Sequence, residues 1–191
     1  IKKIYPVINE DGSDSAMLDN YLHMLTLAGF SLPQAVMMAV PEPWENDESM
    51  DEAKRAFYEY NSTNGEPWDG PAAIGFTDGV VVGATLDRNG LRPARYYVTS
   101  DDMVVLSSEV GVLNIKPENI VSKNRLEPGK MLLIDTKAGK IISDEEIKSN
   151  IASQHPYKQW LEENLVDIDD VKTGKKSAQW SATPCLWLWG P

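Results

Sequence analysis

The feature that most limits the fold is a change of hydrophobic period at Gly70. Beyond it, residues 72–77 and 80–86 form two short apolar runs on either side of Asp78-Gly79. Asp and Gly both tolerate positive φ, so this dipeptide between strand-like runs specifies a tight antiparallel hairpin. A second turn, Asp87-Arg88-Asn89-Gly90, leads to a strand expected over 94–99, and Ser100-Asp101-Asp102 turns that strand into another over 103–107. The expected arrangement is an antiparallel meander. Three more strands are expected at 120–122, 131–135 and 140–142, separated by Glu127-Pro128-Gly129 and Ala138-Gly139. Strands that succeed one another through turns, without helical crossovers, exclude a parallel α/β fold.

Before Gly70 the period is helical. A short extended stretch over 5–8 gives way to Glu10-Asp11-Gly12-Ser13-Asp14-Ser15, a turn that ends in helix N-cap residues. Leu18, Leu22, Leu25 and Ala28 then share one helical face with Tyr21 beside them, and Gly29 is placed to end the helix. Ser31 and Gln34 form a capping-box pattern with Pro33 in the first turn and Pro41 as the stop. Ser49 and Glu52 repeat that pattern for a third helix, whose face is Ala53, Phe57 and Tyr60. After the strands, Ser143 with Glu146 caps a helix to about Ser153, and Pro156 opens another toward Leu165. Helices, then sheet, then helices is the order of an α+β fold.

Charge narrows the partners. With 18 Lys and Arg against 29 Asp and Glu, the net charge is −11. Nucleic acid and anionic membrane surfaces both need clustered cations and are disfavoured. The apolar stretches fall far short of the roughly 20 residues of a membrane helix, and no basic-then-apolar leader opens the sequence. A single cysteine, Cys185, rules out an intrachain disulfide framework and a thiolate zinc cluster. A cytoplasmic protein is expected. Residues 171–191 differ from the rest, being basic and holding Trp180, Trp187 and Trp189, and no role is assigned to them.

Few residues carry chemistry on their own. His23 and His155 stand far apart with no partner at a metal-ligand spacing, and Cys185 has no neighbour that would lower its pKa. Neither glycine-rich phosphate-loop pattern occurs. Glu42, Glu45, Asp47 and Glu48 read as a solvated acidic surface. Two segments stand out. In Gly12-Ser13-Asp14-Ser15, Asp14 either caps the helix or offers a carboxylate to a ligand ammonium. In Asp87-Arg88-Asn89-Gly90-Leu91-Arg92-Pro93-Ala94-Arg95, three arginines either bind an anion or brace the turn through Asp87 and Glu109, and the residues alone favour bracing.

These segments, with those around them, resemble the large chain of glutamate synthases. The similarity lies in Ile8-Asn9-Glu10 with Ser13-Asp14-Ser15-Ala16 and Leu18-Asp19-Asn20, in Arg55-Ala56-Phe57-Tyr58-Glu59-Tyr60, and in Glu66-Pro67-Trp68-Asp69-Gly70-Pro71-Ala72. It continues through Gly83-Ala84-Thr85-Leu86 into the whole arginine segment and Tyr96, then Ser108-Glu109-Val110-Gly111-Val112-Leu113 and Ile141-Ile142-Ser143-Asp144-Glu145-Glu146-Ile147-Lys148. A similar Gly-Leu/Ile-Arg-Pro turn occurs in phosphoribosylpyrophosphate amidotransferases, but the segment Glu66 to Pro71 argues for glutamate synthase.

The resemblance implies the later half of a class II glutamine amidotransferase domain of the N-terminal nucleophile hydrolase type. That fold is an αββα four-layer sandwich, with two antiparallel sheets between helical layers. It further implies glutaminase chemistry, in which an N-terminal cysteine attacks the amide of L-glutamine and the ammonia goes to 2-oxoglutarate to make glutamate. On this chain it assigns one site residue, Asp14, as the acid that receives the glutamine α-amino group. No catalytic residue carries over, since Ile1 is not a cysteine, and FMN and an iron–sulfur cluster belong to other regions of such enzymes. Residues 1–170 are thus expected to be the C-terminal part of the domain, inactive alone, with the remaining domains of the large chain as partners. Asn64-Gly65 departs from the family's bulkier apolar pair. A stand-alone amino-acid-binding protein is the alternative of a different class.

Overall fold

A computed structural model describes residues 6–166 of the 191. Most of the expected stretch at 5–8 is described and forms no strand, while the basic tail at 171–191, with Cys185, lies outside the described residues. Helices α1 (Asp14–Leu27), α2 (Leu32–Ala39) and α3 (Glu52–Ser62) come first. Strands β1 (Ala73–Thr77), β2 (Val81–Leu86), β3 (Arg95–Thr99), β4 (Val104–Ser107), β5 (Ile120–Arg125), β6 (Met131–Asp135) and β7 (Lys140–Ile142) follow. Helices α4 (Asp144–Ala152) and α5 (Tyr157–Asn164) close the described chain. The fold is α+β, as the order of elements predicts.

Local signals account for most element ends. Ser13, Ser31 and Ser143 cap α1, α2 and α4 with their side-chain oxygens. Helix α1 ends in a Schellman motif: Phe30 N–H reaches Leu25 O at 3.2 Å, Gly29 N–H reaches Thr26 O at 3.0 Å, and Gly29 takes φ +103°. Three expectations need correction. The cap of α3 is Asp51, which accepts from Ala53 and Lys54 N–H, because Asp47 holds the Ser49 hydroxyl at 2.6 Å. Ala53 is exposed, and the buried face of α3 is Lys54, Ala56, Phe57, Tyr58 and Asn61. The β1–β2 turn centres on Gly79-Val80: only Gly79 has positive φ there, and Asp78 Oδ1 accepts from Val80 and Val81 N–H instead.

The meander is also corrected. The strands divide into two antiparallel sheets, ordered β1-β2-β6-β7 and β4-β3-β5. Alternation along β6 shows why they stack: Met131 and Leu133 enter the core formed with all five helices, while Leu132 and Ile134 face a second core with Ala84, Leu86, Ala94 and Leu126. Strand β6 therefore contributes alternate residues to two separate cores.

Candidate functional site

The loop before α1 is built tightly enough to fix Asp14. Gly12 N–H donates to Asn9 O at 3.0 Å, and Asn9 N–H donates to Asn20 Oδ1 at 3.0 Å. A Cβ on Gly12 would stand 3.1 Å from Asn9 O and 3.3 Å from Ala16 Cβ, so the loop has no room for a larger residue without shifting. Ser13 is the cap, accepting from Ala16 N–H at 3.3 Å. The capping duty falls to Ser13, and Asp14 is the first residue of the helix itself. Its Oδ1 accepts from Ser15 N–H at 2.7 Å, and its Oδ2 has no hydrogen-bond partner among the described residues. The carboxylate is exposed at the positive end of the helix dipole, where negative charge is favoured.

Asp14 lines a pocket of about 220 Å³ with Glu66, Asp69, Tyr21, Leu18 and Trp68. The indole is held in place, since Trp68 Nε1 donates to Gly70 O at 3.0 Å and its main-chain N–H to Ala39 O at 2.8 Å. Leu18 and Trp68 also line a cleft of about 1250 Å³ that runs along β1. Ser15, Asp19 and His23 line that cleft from α1, and Arg92 and Leu106 also border it. The pocket thus combines carboxylates at its rim with an apolar lining, an arrangement that suits an ammonium group carried on an aliphatic stem.

The arginine segment is braced by Asp87 as expected, through main-chain amides, but not by Glu109. Asp87 is buried; its Oδ1 accepts from Ala72 N–H at 3.0 Å and its Oδ2 from Asn89 and Gly90 N–H at 2.9 and 3.3 Å. Main-chain amides, rather than arginines, use up this carboxylate. Glu109 takes no part through its side chain; Ser107 Oγ donates to its main-chain oxygen. Arg88 pairs with Asp69 at 3.4 Å, an exposed contact worth little in stability that joins this turn to the rim of the Asp14 pocket. Arg92 and Arg95 are exposed, Arg92 at the cleft.

Behind the site lies a buried ionic network that the sequence reading did not find. Lys148 Nζ, 2% exposed, donates to Gly129 O at 2.7 Å and lies 2.9 Å from Glu42 Oε2 and 3.0 Å from Asp144 Oδ1. Asp144 also accepts from Lys130 Nζ at 3.0 Å and Met131 N–H at 2.8 Å, and Glu42 from Tyr58 OH at 3.2 Å. The Glu42 side chain is therefore largely buried and paired, which corrects its reading as solvated surface. Burial, followed by the Glu42 charge, pushes the Tyr58 hydroxyl well above the ordinary range. The (i, i+4) spacing of Asp144 and Lys148 was the available signal; the Glu42 partner, far away in the chain, was not locally encoded. Gly129 N–H in turn donates to Asp87 O at 3.1 Å, so the network supports the arginine turn.

Helices and two antiparallel sheets in this order fit one class of domain. The chain belongs to the class-II glutamine amidotransferases, whose family model matches residues 1–160. Within that class its similarity is to glutamate synthases. It is 55% identical over 181 residues to the glutamate synthase [NADPH] large chain of Bacillus subtilis (strain 168), covering 95% of this chain and 12% of that one. It is 51% identical over 169 residues to glutamate synthase [NADH] of Schizosaccharomyces pombe, covering 88% and 8%. It is 47% identical over 163 residues to the ferredoxin-dependent glutamate synthase of Pyropia yezoensis, covering 84% and 11%. The chain thus spans about a tenth of the length of these curated relatives. Among the described residues no helix is long and apolar enough to cross a membrane, and no group of three or more His, Cys, Asp or Glu could hold a metal ion.

Proposed function

We propose that residues 1–170 are the later part of the glutaminase domain of a cytoplasmic glutamate synthase, and that Asp14 receives the α-ammonium of glutamine. One observation carries this reading: Ser13 does the capping, and Asp14 Oδ2 has no partner among the described residues at the rim of a pocket with an apolar lining. A charge-assisted hydrogen bond there would orient the substrate, and the cleft beside it has room for the remainder of the molecule. Attack on the amide needs a thiolate, and the described residues contain no cysteine. The nucleophile and the donors that stabilise the oxyanion would come from elsewhere in the domain, completing the four-layer sandwich. Flavin and iron–sulfur chemistry would likewise belong to other parts of the enzyme, since an iron–sulfur cluster needs several thiolates and the sequence has a single cysteine. The ammonia released would pass to 2-oxoglutarate in those parts.

The test is ammonia release from glutamine, measured on the chain alone and on the chain co-produced with a cysteine-initiated first half of the domain from the Bacillus relative. The expected result is no release alone, release on reconstitution, and a KM for glutamine raised about tenfold or more by Asp14→Asn. Tight glutamine binding by the isolated chain, seen by calorimetry and lost in Asp14→Ala, would instead favour a stand-alone amino-acid-binding protein.

A further inference from the structure

A second pocket lies on the other side of Tyr21 from Asp14, between α1, α3 and α5. It encloses about 510 Å³, within the range of small-molecule sites. One wall is a set of touching rings: Tyr60 lies 5.3 Å from both Tyr157 and Trp160, and His155 stacks on Trp160 at 5.4 Å with 24° between the planes. Tyr21 and Met24 of α1 line the pocket as well. Although the sequence has 18 basic and 29 acidic residues, no Lys, Arg, Asp or Glu among the described residues lines it. His155 is the one basic side chain among the described residues of the lining, so an ionic ligand finds little counter-charge there, whereas the aromatic faces favour stacking.

The polar groups of the lining are few and partly committed. Asn61 Nδ2 donates to Phe57 O at 2.7 Å, and Asn61 Oδ1 receives Asn64 Nδ2 at 3.4 Å. The Tyr157 hydroxyl accepts from Gln34 Nε2 at 3.4 Å, which leaves its own proton available to a ligand. Burial raises the pKa of both the Tyr21 and Tyr157 hydroxyls, so they stay protonated donors across the neutral range. We infer that this pocket binds a small, uncharged heteroaromatic ring, which stacks on the Tyr60–Trp160 wall and accepts a hydrogen bond from a tyrosine hydroxyl at its edge. The site is separate from the Asp14 pocket and does not depend on glutamine chemistry.

Protein-observed NMR of the full chain with adenine, indole and cyclohexanol as probes tests this. Adenine has ring faces and acceptor nitrogens, indole has faces but no acceptor nitrogen, and cyclohexanol has no aromatic face. The inference predicts shifts centred on Tyr60, Tyr157 and Trp160, with adenine binding most tightly and cyclohexanol about tenfold more weakly, as the loss of stacking implies. Asn64 is exposed, so Asn64→Phe should preserve the fold while filling the pocket and weakening adenine binding about tenfold or more. Trp160→Leu should act the same way. Equal binding of cyclohexanol and adenine would mark a packing gap between helices and overturn the inference. Absence of pocket shifts, or adenine binding unchanged in Asn64→Phe, would overturn it too.

Discussion

Replacing Lys148 with methionine keeps most of the side-chain volume and removes the ammonium from the centre of the buried network. Three contacts go at once: Gly129 O at 2.7 Å, Glu42 Oε2 at 2.9 Å and Asp144 Oδ1 at 3.0 Å. Their consequences differ. Asp144 retains Lys130 and the Met131 amide, so its charge stays compensated. Glu42 retains only the Tyr58 hydroxyl, on Oε1, and Gly129 O loses the only side-chain donor that the described residues give it. An unsatisfied buried carbonyl costs about 1–3 kcal/mol, and an abandoned buried carboxylate costs more. The expected loss is about 3–5 kcal/mol, the range for breaking a buried ion pair from one side. Urea unfolding followed by circular dichroism measures it. Because the cost arises from the stranded Glu42 charge, the double variant Glu42→Gln/Lys148→Met should be more stable than Lys148→Met alone, by at least about 1 kcal/mol. A single-variant loss below about 1 kcal/mol, or a double variant weaker than the single, would refute the reasoning.

Other outcomes follow from the same geometry. Gly129→Ala places a Cβ 3.0 Å from Glu42 Cβ at φ +65°, whereas Gly139→Ala, at φ +61°, meets nothing within 4 Å. Both should lose about 1–2 kcal/mol to backbone strain in thermal melts, and Gly129→Ala should lose more. Stability should fall as pH rises above about 10. Tyr58 ionises later when folded than when unfolded, and Lys130 likewise, because its Asp144 hydrogen bond and charge outweigh the lowering by burial. Both groups bind protons more tightly in the fold, so their contributions are complete below the ordinary values of 10.0 and 10.5 and are lost as pH climbs through the raised ones. Urea midpoints at neutral and alkaline pH check this, and Tyr58→Phe should soften the alkaline loss. Among the described residues the edge strands β1, β7, β4 and β5 are unpaired on one side, and Val82, Leu106, Val121 and Val110 are exposed. The isolated chain should therefore self-associate in sedimentation velocity, and a stable monomer with a cooperative high-temperature melt would count against the reading as an incomplete domain.

Where structure depends on neighbours in sequence, the residues announced it. Ser13, Ser31 and Ser143 each precede a helix and each cap it, and β6 and β7 occupy the spans their turn residues predict. The α3 cap was misassigned because Ser49 and Asp51 are both good caps, and only the position of Asp47 decides between them. The two-sheet arrangement was hidden for a different reason. Strand β2 pairs with β6 across a long sequence separation, which no local pattern specifies. A trace existed, since β2 is buried along four successive residues, Gly83 to Leu86, as a strand covered on both faces must be. At the candidate site, residue types alone single out the Asp14 segment, and the resemblance adds glutamine as the ligand. Spacing leaves Asp14 as either a cap or a ligand carboxylate, and the hydrogen bond from Ala16 to Ser13 gives the capping to Ser13. Glu66, Asp69 and Trp68 stood in the sequence as a motif, but their meeting with Asp14 depends on how α1 lies against the chain after α3.

The most direct measurement is the glutamine dependence of ammonia release by the reconstituted domain, with Asp14 intact and with Asp14→Asn. The account predicts no release from the isolated chain, release on adding a cysteine-initiated first half, and a KM for glutamine about tenfold or more higher in the variant. Ammonia release by the chain alone, or a KM unchanged by Asp14→Asn, would contradict it.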